Sequence, residues 1–146
     1  RAVLPSMLER GCGGIVGISS AAGLVGVFGY GAYTPTKYAV RGLCDGLRAE
    51  FEHRGIYVGC AFPPDTLTPG FEAENLIKPA ETSAVSAAIA PKPAETVAAA
   101  IVHGIEKGRH VITADRQTSM LAYGGGLIAP FVHREMARQV RRATNP

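Results

Sequence analysis

Cysteine, net charge and long apolar runs are all scarce in this chain of 146 residues, and each scarcity excludes something. Cys12, Cys44 and Cys60 are odd in number and widely spaced, with no Cys-x-x-Cys pair and no histidine at zinc spacing, which disfavours both a disulfide framework and a structural zinc. All three are expected as buried, reduced thiols of a cytoplasmic protein. His53, His103, His110 and His133 share no spacing suited to a metal, so surface or packing roles are expected of them. Fifteen lysines and arginines against twelve acids leave a net charge of +3, too small and too diluted to mark a nucleic-acid surface. No apolar run reaches the roughly 18 residues of a membrane span. The longest candidate, Met120 to Val132, is interrupted by Gly124, Gly125, Gly126 and Pro130. The first residues do not read as a signal peptide either.

What is present is the composition of one globular domain, 47% hydrophobic and 18% charged. Arg1 to Arg10 opens without Met and reads as the tail of an amphipathic helix, with Val3, Leu4, Met7 and Leu8 at helical spacing, so the chain is expected to begin inside a larger unit. Gly14 to Ser19 is a short, β-branched buried strand running into a loop. From Gly31 to Arg54 the apolar residues Val40, Leu43, Leu47 and Phe51 recur at three and four, and Gly55 follows as a stop, which predicts the longest helix. Ile56 to Phe62 is a second strand, ended by Pro63 and Pro64, neither of which can donate a ladder hydrogen bond. Asp65 to Pro91 has no sustained periodicity and is expected to be a functional lid. Pro93 to Lys107 predicts a helix, His110 to Thr113 a third strand, and Ser119 to Arg142 a segment helical towards its end.

Strand, helix, strand, lid, helix, strand is the rhythm of an α/β fold built on a doubly wound parallel sheet. Three strands are too few for a whole dinucleotide fold, and no G-x-G-x-x-G turn stands at a strand-to-helix junction. The expectation is therefore the C-terminal half of such a domain, with the nucleotide-binding half upstream. Half a sheet would also leave the edge beside Gly14 to Ser19 unpaired and prone to aggregation.

Tyr33 and Lys37 stand four apart at the start of the long helix, which puts phenol and ammonium on one face. Ser20 precedes Tyr33 by thirteen residues, at the end of the first strand. Alone, each has an ordinary explanation: a turn serine, a helix-boundary aromatic, a solvated lysine. Together, Ile15-Val-Gly-Ile-Ser-Ser-Ala-Ala-Gly23, Tyr33-Thr-Pro-Thr-Lys37 and Ala39-Val-Arg-Gly42 resemble the catalytic segment of the short-chain dehydrogenases/reductases, a Rossmann-like family. The resemblance implies that Tyr33 is the acid/base, that Ser20 orients the substrate carbonyl, and that Lys37 supports both and holds the cofactor ribose. A phenol, ordinarily ionising near pH ~10, serves at neutral pH only where positive charge beside it favours the phenolate. An Asn on the preceding helix, the family's fourth catalytic residue, has no counterpart here.

The run Pro63-Pro-Asp-Thr-Leu-Thr68 stands where the family has Pro-Gly-x-x-x-Thr, with Pro64 in place of the usual Gly. The resemblance assigns Pro63, Asp65, Thr66 and Thr68 to the cofactor side, although the same residues could simply end a strand and form a turn. With Gly70-Phe-Glu-Ala-Glu-Asn75 and Lys78-Pro-Ala-Glu-Thr82, the stretch resembles the branch of the family that reduces 3-ketodihydrosphingosine. That branch implies NADPH as cofactor (NADP, with NAD as the alternative), a long-chain ketone or sphingoid-base substrate, and a substrate side formed by Ser20, Phe28 and Phe71. The alternatives are another ketone or alcohol substrate, or a truncated non-catalytic fragment or interaction module. The long helix resembles the one through which family members pair, so a homodimer or homotetramer is expected. Arg134, Arg138, Arg141 and Arg142 against Glu135 carry the whole net charge of the chain, and with the apolar segment before them they form a candidate peripheral membrane contact over residues 119–146.

Overall fold

The computed structural model describes residues 2–87 and 89–144. The opening helix α1 (Leu4–Arg10) ends at Gly11, and β1 (Gly13–Ile18) follows directly. A single 3-10 turn, Ala21–Gly23, then leads through a loop to α2 (Tyr33–Phe51), the crossover that returns the chain to β2 (Ile56–Phe62). After Glu52–Arg54, Gly55 takes a left-handed φ of 81°, the turn that lets helix become strand within one residue.

β1 and β2 pair in parallel from Gly13↔Ile56 to Ile18↔Ala61. β5 (Val111–Thr113) extends the sheet on the far side of β2, giving the order β1-β2-β5. β2 is therefore central and buried along nearly its whole length, while β1 is an edge among the described residues and leaves Ile18 49% exposed. The sheet is thus parallel, as the rhythm of the sequence predicts. Leu24, Cys44, Val58, Cys60 and Phe62 form the core, with Val40 and Leu47 of α2 and Leu121 of the last helix packed against it. Gly17 is what allows α2 so close to β1: a Cβ there would overlap the Cys44 thiol and stand 3.0 Å from Val40. Burial, and then the neighbouring Cys44, push the Cys60 thiol up to about 12, so it stays protonated.

Three expectations need correcting. Cys12 is exposed, because it sits in the turn before the first paired residue of β1, outside the cover that hides Cys44 and Cys60. The Asp65 to Pro91 stretch is not without regular structure: it holds β3 (Thr66–Leu67), α3 (Pro69–Asn75) and α4 (Ala80–Ser86), and β3 pairs in parallel with β4 (Lys92–Pro93). Helices of seven residues are two turns long, too short for an apolar period to repeat visibly. After α5 (Ala94–Glu106), the last helix α6 (Arg116–Thr144) starts earlier than expected and runs unbroken through Gly124 to Gly126 and Pro130. Asp115 starts it, accepting from Thr118 N at 2.9 Å and from the Thr118 hydroxyl at 2.8 Å. Packing of α6 against α4 and the core outweighs the poor helix propensity of glycine and proline.

Candidate active site

The segments after β1 and β2 leave the sheet side by side, the position at which parallel sheets bind their ligands. Backbone bonds lock them together: Ser19 N donates to Ala61 O at 2.8 Å, and Ala21 N donates to Pro63 O at 2.9 Å. Between these two bonds sits Ser20, whose Oγ accepts from Ala22 N at 3.1 Å and so caps the 3-10 turn. That bond uses an oxygen lone pair and leaves the Ser20 O–H free to donate.

Buried Ser19 reaches the other way, its Oγ donating to Lys37 O at 2.8 Å and fixing the first turns of α2 against the sheet. Gly23 makes this approach possible, since a Cβ would overlap the Ser19 hydroxyl and lie 2.9 Å from Lys37 O. Tyr33, the first residue of α2, is 43% exposed and faces the cavity beside Ser20. Lys37, one turn on, donates from Nζ to Ile18 O at 3.2 Å and holds its ammonium 5.3 Å from the Tyr33 ring centroid.

The cavity itself measures about 740 Å³ and is mostly apolar. Ser20, Tyr33, Lys37, Pro63, Asp65, Thr66 and Phe71 all line it, so the structure gathers these sequence-predicted residues at one place. Thr66 donates its hydroxyl to Pro64 O at 2.8 Å, which shapes the turn after β2. Thr68 does not line the cavity; it caps α3 by accepting from Phe71 N at 3.2 Å. Phe28 is elsewhere too, on an adjoining groove, with its carbonyl accepting from Thr82 Oγ1 at 3.2 Å. Burial raises the Asp65 carboxyl above the usual range, opposed by the charge of Lys78.

Three cavity-side residues escape sequence reasoning. Tyr30 donates its hydroxyl to Glu74 of α3, tying the lid to the loop before α2, and its ring lies 5.6 Å from that of Tyr33. Burial first, and then the bond to Glu74, push its phenol well above the ordinary range. Glu74 also pairs with Lys78 at 3.2 Å, and Lys78, its side chain only 2% exposed, stands 4.8 Å from the Phe71 ring centroid. The Glu74/Lys78 spacing of four is a readable signal. The Tyr30–Glu74 partnership spans 44 residues and is not.

Residues 1–78, just over half of the chain, match the family described as short chain dehydrogenase. The chain belongs to the short-chain dehydrogenase family. It is 46% identical over 132 residues to the 3-ketodihydrosphingosine reductase of Dictyostelium discoideum, covering 88% of this chain and 39% of that protein. It is likewise 46% identical over 108 residues to the 3-dehydrosphinganine reductase of Danio rerio, covering 74% of this chain and 32% of that one. The chain thus spans well under half the length of these curated relatives. Among solved structures it is similar to a short-chain dehydrogenase from Sphingobium yanoikuyae in complex with NADPH, at a TM-score of 0.68 and 26% identity, over 86% of this chain and 47% of that one.

Proposed function

We propose that this chain supplies the catalytic part of an NADPH-dependent reductase that converts the ketone of a long-chain sphingoid base, 3-ketodihydrosphingosine, to a secondary alcohol. The observation that carries the reading is the convergence of Ser20, Tyr33 and Lys37 on one apolar cavity, with the Lys37 ammonium beside the Tyr33 ring. The names of the relatives support the substrate class. The chain's residues fit a dinucleotide's ribose and nicotinamide side: Lys37 uses one of its three N–H donors, on Ile18 O, among the described residues, and the other two can meet ribose hydroxyls. The rest of the dinucleotide is assigned to residues outside this chain.

NADPH, when bound, supplies the hydride. The free O–H of Ser20 donates to the ketone oxygen and orients it. Tyr33 gives that oxygen its proton, so the phenol O–H breaks as the alcohol O–H forms. Lys37 holds positive charge beside the phenolate left behind. Val25, Phe71 and Leu121 give the cavity apolar walls against which the rest of the ketone can pack.

The test follows NADPH oxidation by the complete polypeptide that carries this chain, with 3-ketodihydrosphingosine and with small ketones, beside a Tyr33→Phe control. Faster turnover of the sphingoid ketone, abolished in Tyr33→Phe, is the expected result. A preference for small ketones would move the substrate to another class within the same family. Undiminished activity in Tyr33→Phe would remove the acid/base role.

A second reading is carried by α6, and concerns where the enzyme works. Met120, Tyr123, Leu127 and Phe131 are 64–83% exposed at helical spacing, and Arg134, Arg138 and Arg141 continue the same stripe. No helix among the described residues is long and apolar enough to cross a membrane. An apolar stripe running into a basic one suits a helix lying on an anionic bilayer. Co-sedimentation with phosphatidylserine vesicles, with and without residues 133–146, tests this; equal or absent binding in both forms rejects it.

A further inference from the structure

Beyond Tyr30 lies a second depression, of about 600 Å³, between the loop that leads into α2 and the last turns of α6. It shares Val27, Tyr30 and Met136 with the catalytic cavity, so the two depressions adjoin at those side chains. The polar groups of the two differ. Ser20, Asp65 and Glu74 belong to the catalytic end, whereas Phe28, Ala137 and Val140 line the far end together with Thr34, His133 and Arg141, and no carboxylate lines it. Tyr30 commits its hydroxyl to Glu74, so what it offers at the junction is its ring. Phe28 is 44% exposed, a large aromatic side chain in the groove with much of its surface in water.

A ketone held at Ser20 and Tyr33 with the nicotinamide side against Pro63 to Thr66 occupies the polar end. The hydrocarbon remainder of a long-chain ketone has to continue away from the groups that hold the ketone, and the adjoining groove opens on the other side of Val27, Tyr30 and Met136. Hydrocarbon gains from such a surface in proportion to the apolar area removed from water, on both sides of the contact. We infer that the groove lined by Phe28, Met136 and Val140 seats the unbranched alkyl tail of the substrate and sets the enzyme's chain-length preference. This rests on the ketone-reductase reading above, and it gives Phe28 a role on the substrate side although it lies outside the catalytic cavity.

The test compares kcat/KM for two 3-keto amines, one of hexyl and one of octadecyl length, in the complete polypeptide and in two variants. Ala137→Trp fills the groove from an exposed position, and Val140→Asp places a charge in it. The expected result is a long-to-short ratio that falls at least about tenfold in both, the loss of roughly two methylene groups' worth of burial. A ratio unchanged in both variants overturns the inference, whatever happens to the absolute rates. If the parent protein reduces neither ketone, the ketone-reductase reading itself fails. The groove is then read by the fluorescence of anthroyloxy-stearate: binding lost in both variants upholds an alkyl site, and undiminished binding overturns it.

Discussion

The two walls of the catalytic cavity are held in place by different means. On the sheet side, Ser20 is fixed between two backbone hydrogen bonds that join the ends of β1 and β2, and Lys37 is fixed by the approach of α2 that Gly17 and Gly23 allow. On the lid side, α3 is tied down by side chains: the Tyr30 hydroxyl on Glu74 and the Glu74–Lys78 pair. Backbone contacts survive most substitutions, whereas side-chain contacts change with a single one. On the proposed reading, the chemistry falls to the wall held by backbone bonds, and the wall held by side chains is the one a single substitution reshapes.

Four substitutions probe that contrast. Tyr33→Phe removes the proposed proton donor and is expected to lower kcat by about 100-fold or more while moving KM little, as loss of general acid catalysis does. A comparable fall in kcat from any lid substitution would erase the distinction between the walls. Gly23→Ala comes next, because its Cβ has to displace the Ser19 hydroxyl and the Lys37 carbonyl; about 1–3 kcal/mol of stability should be lost in urea unfolding, together with activity. An unchanged midpoint would show that the sheet-side wall is softer than its packing implies.

Tyr30→Phe cuts the lid's tie and is expected to cost only about 1 kcal/mol, raising KM more than it lowers kcat. The smallest effect belongs to Asp65→Asn. Burial raises the Asp65 carboxyl in the folded state, so the fold holds this proton more tightly than the unfolded chain does. The stability from that proton is present at low pH and is lost as pH rises through the raised carboxylate range. Asp65→Asn should therefore raise Tm near about pH 7 and change it little near about pH 3, in thermal melts at the two values. A gain of the same size at both would assign the effect to something other than charge burial.

Much of the sheet-side wall is legible in the residues themselves. Gly55 marks where the helical segment turns into β2 and Pro63 the end of β2, and the apolar spacing from Val40 to Phe51 announces α2, although Leu43 of that spacing is 61% exposed and the buried residue is Cys44. The Ser20, Tyr33, Lys37 pattern is local enough to read in one pass. The lid is not, since α3 and α4 span seven residues each and β3 two, and their placement depends on partners remote in sequence such as Tyr30. α6 escapes for the opposite reason: its three glycines and Pro130 argue locally against a helix that tertiary packing sustains.

The parallel pairing of β1 with β2 also governs how the molecule assembles. Parallel neighbours need a crossover, and here the crossover is the segment that carries Ser20, Tyr33 and Lys37. The loop whose closure entropy must be met before β1 meets β2 is thus the segment that carries these three residues. β1 cannot join β2 until that segment has closed, whereas β2 can meet β5, and β3 can meet β4, without it.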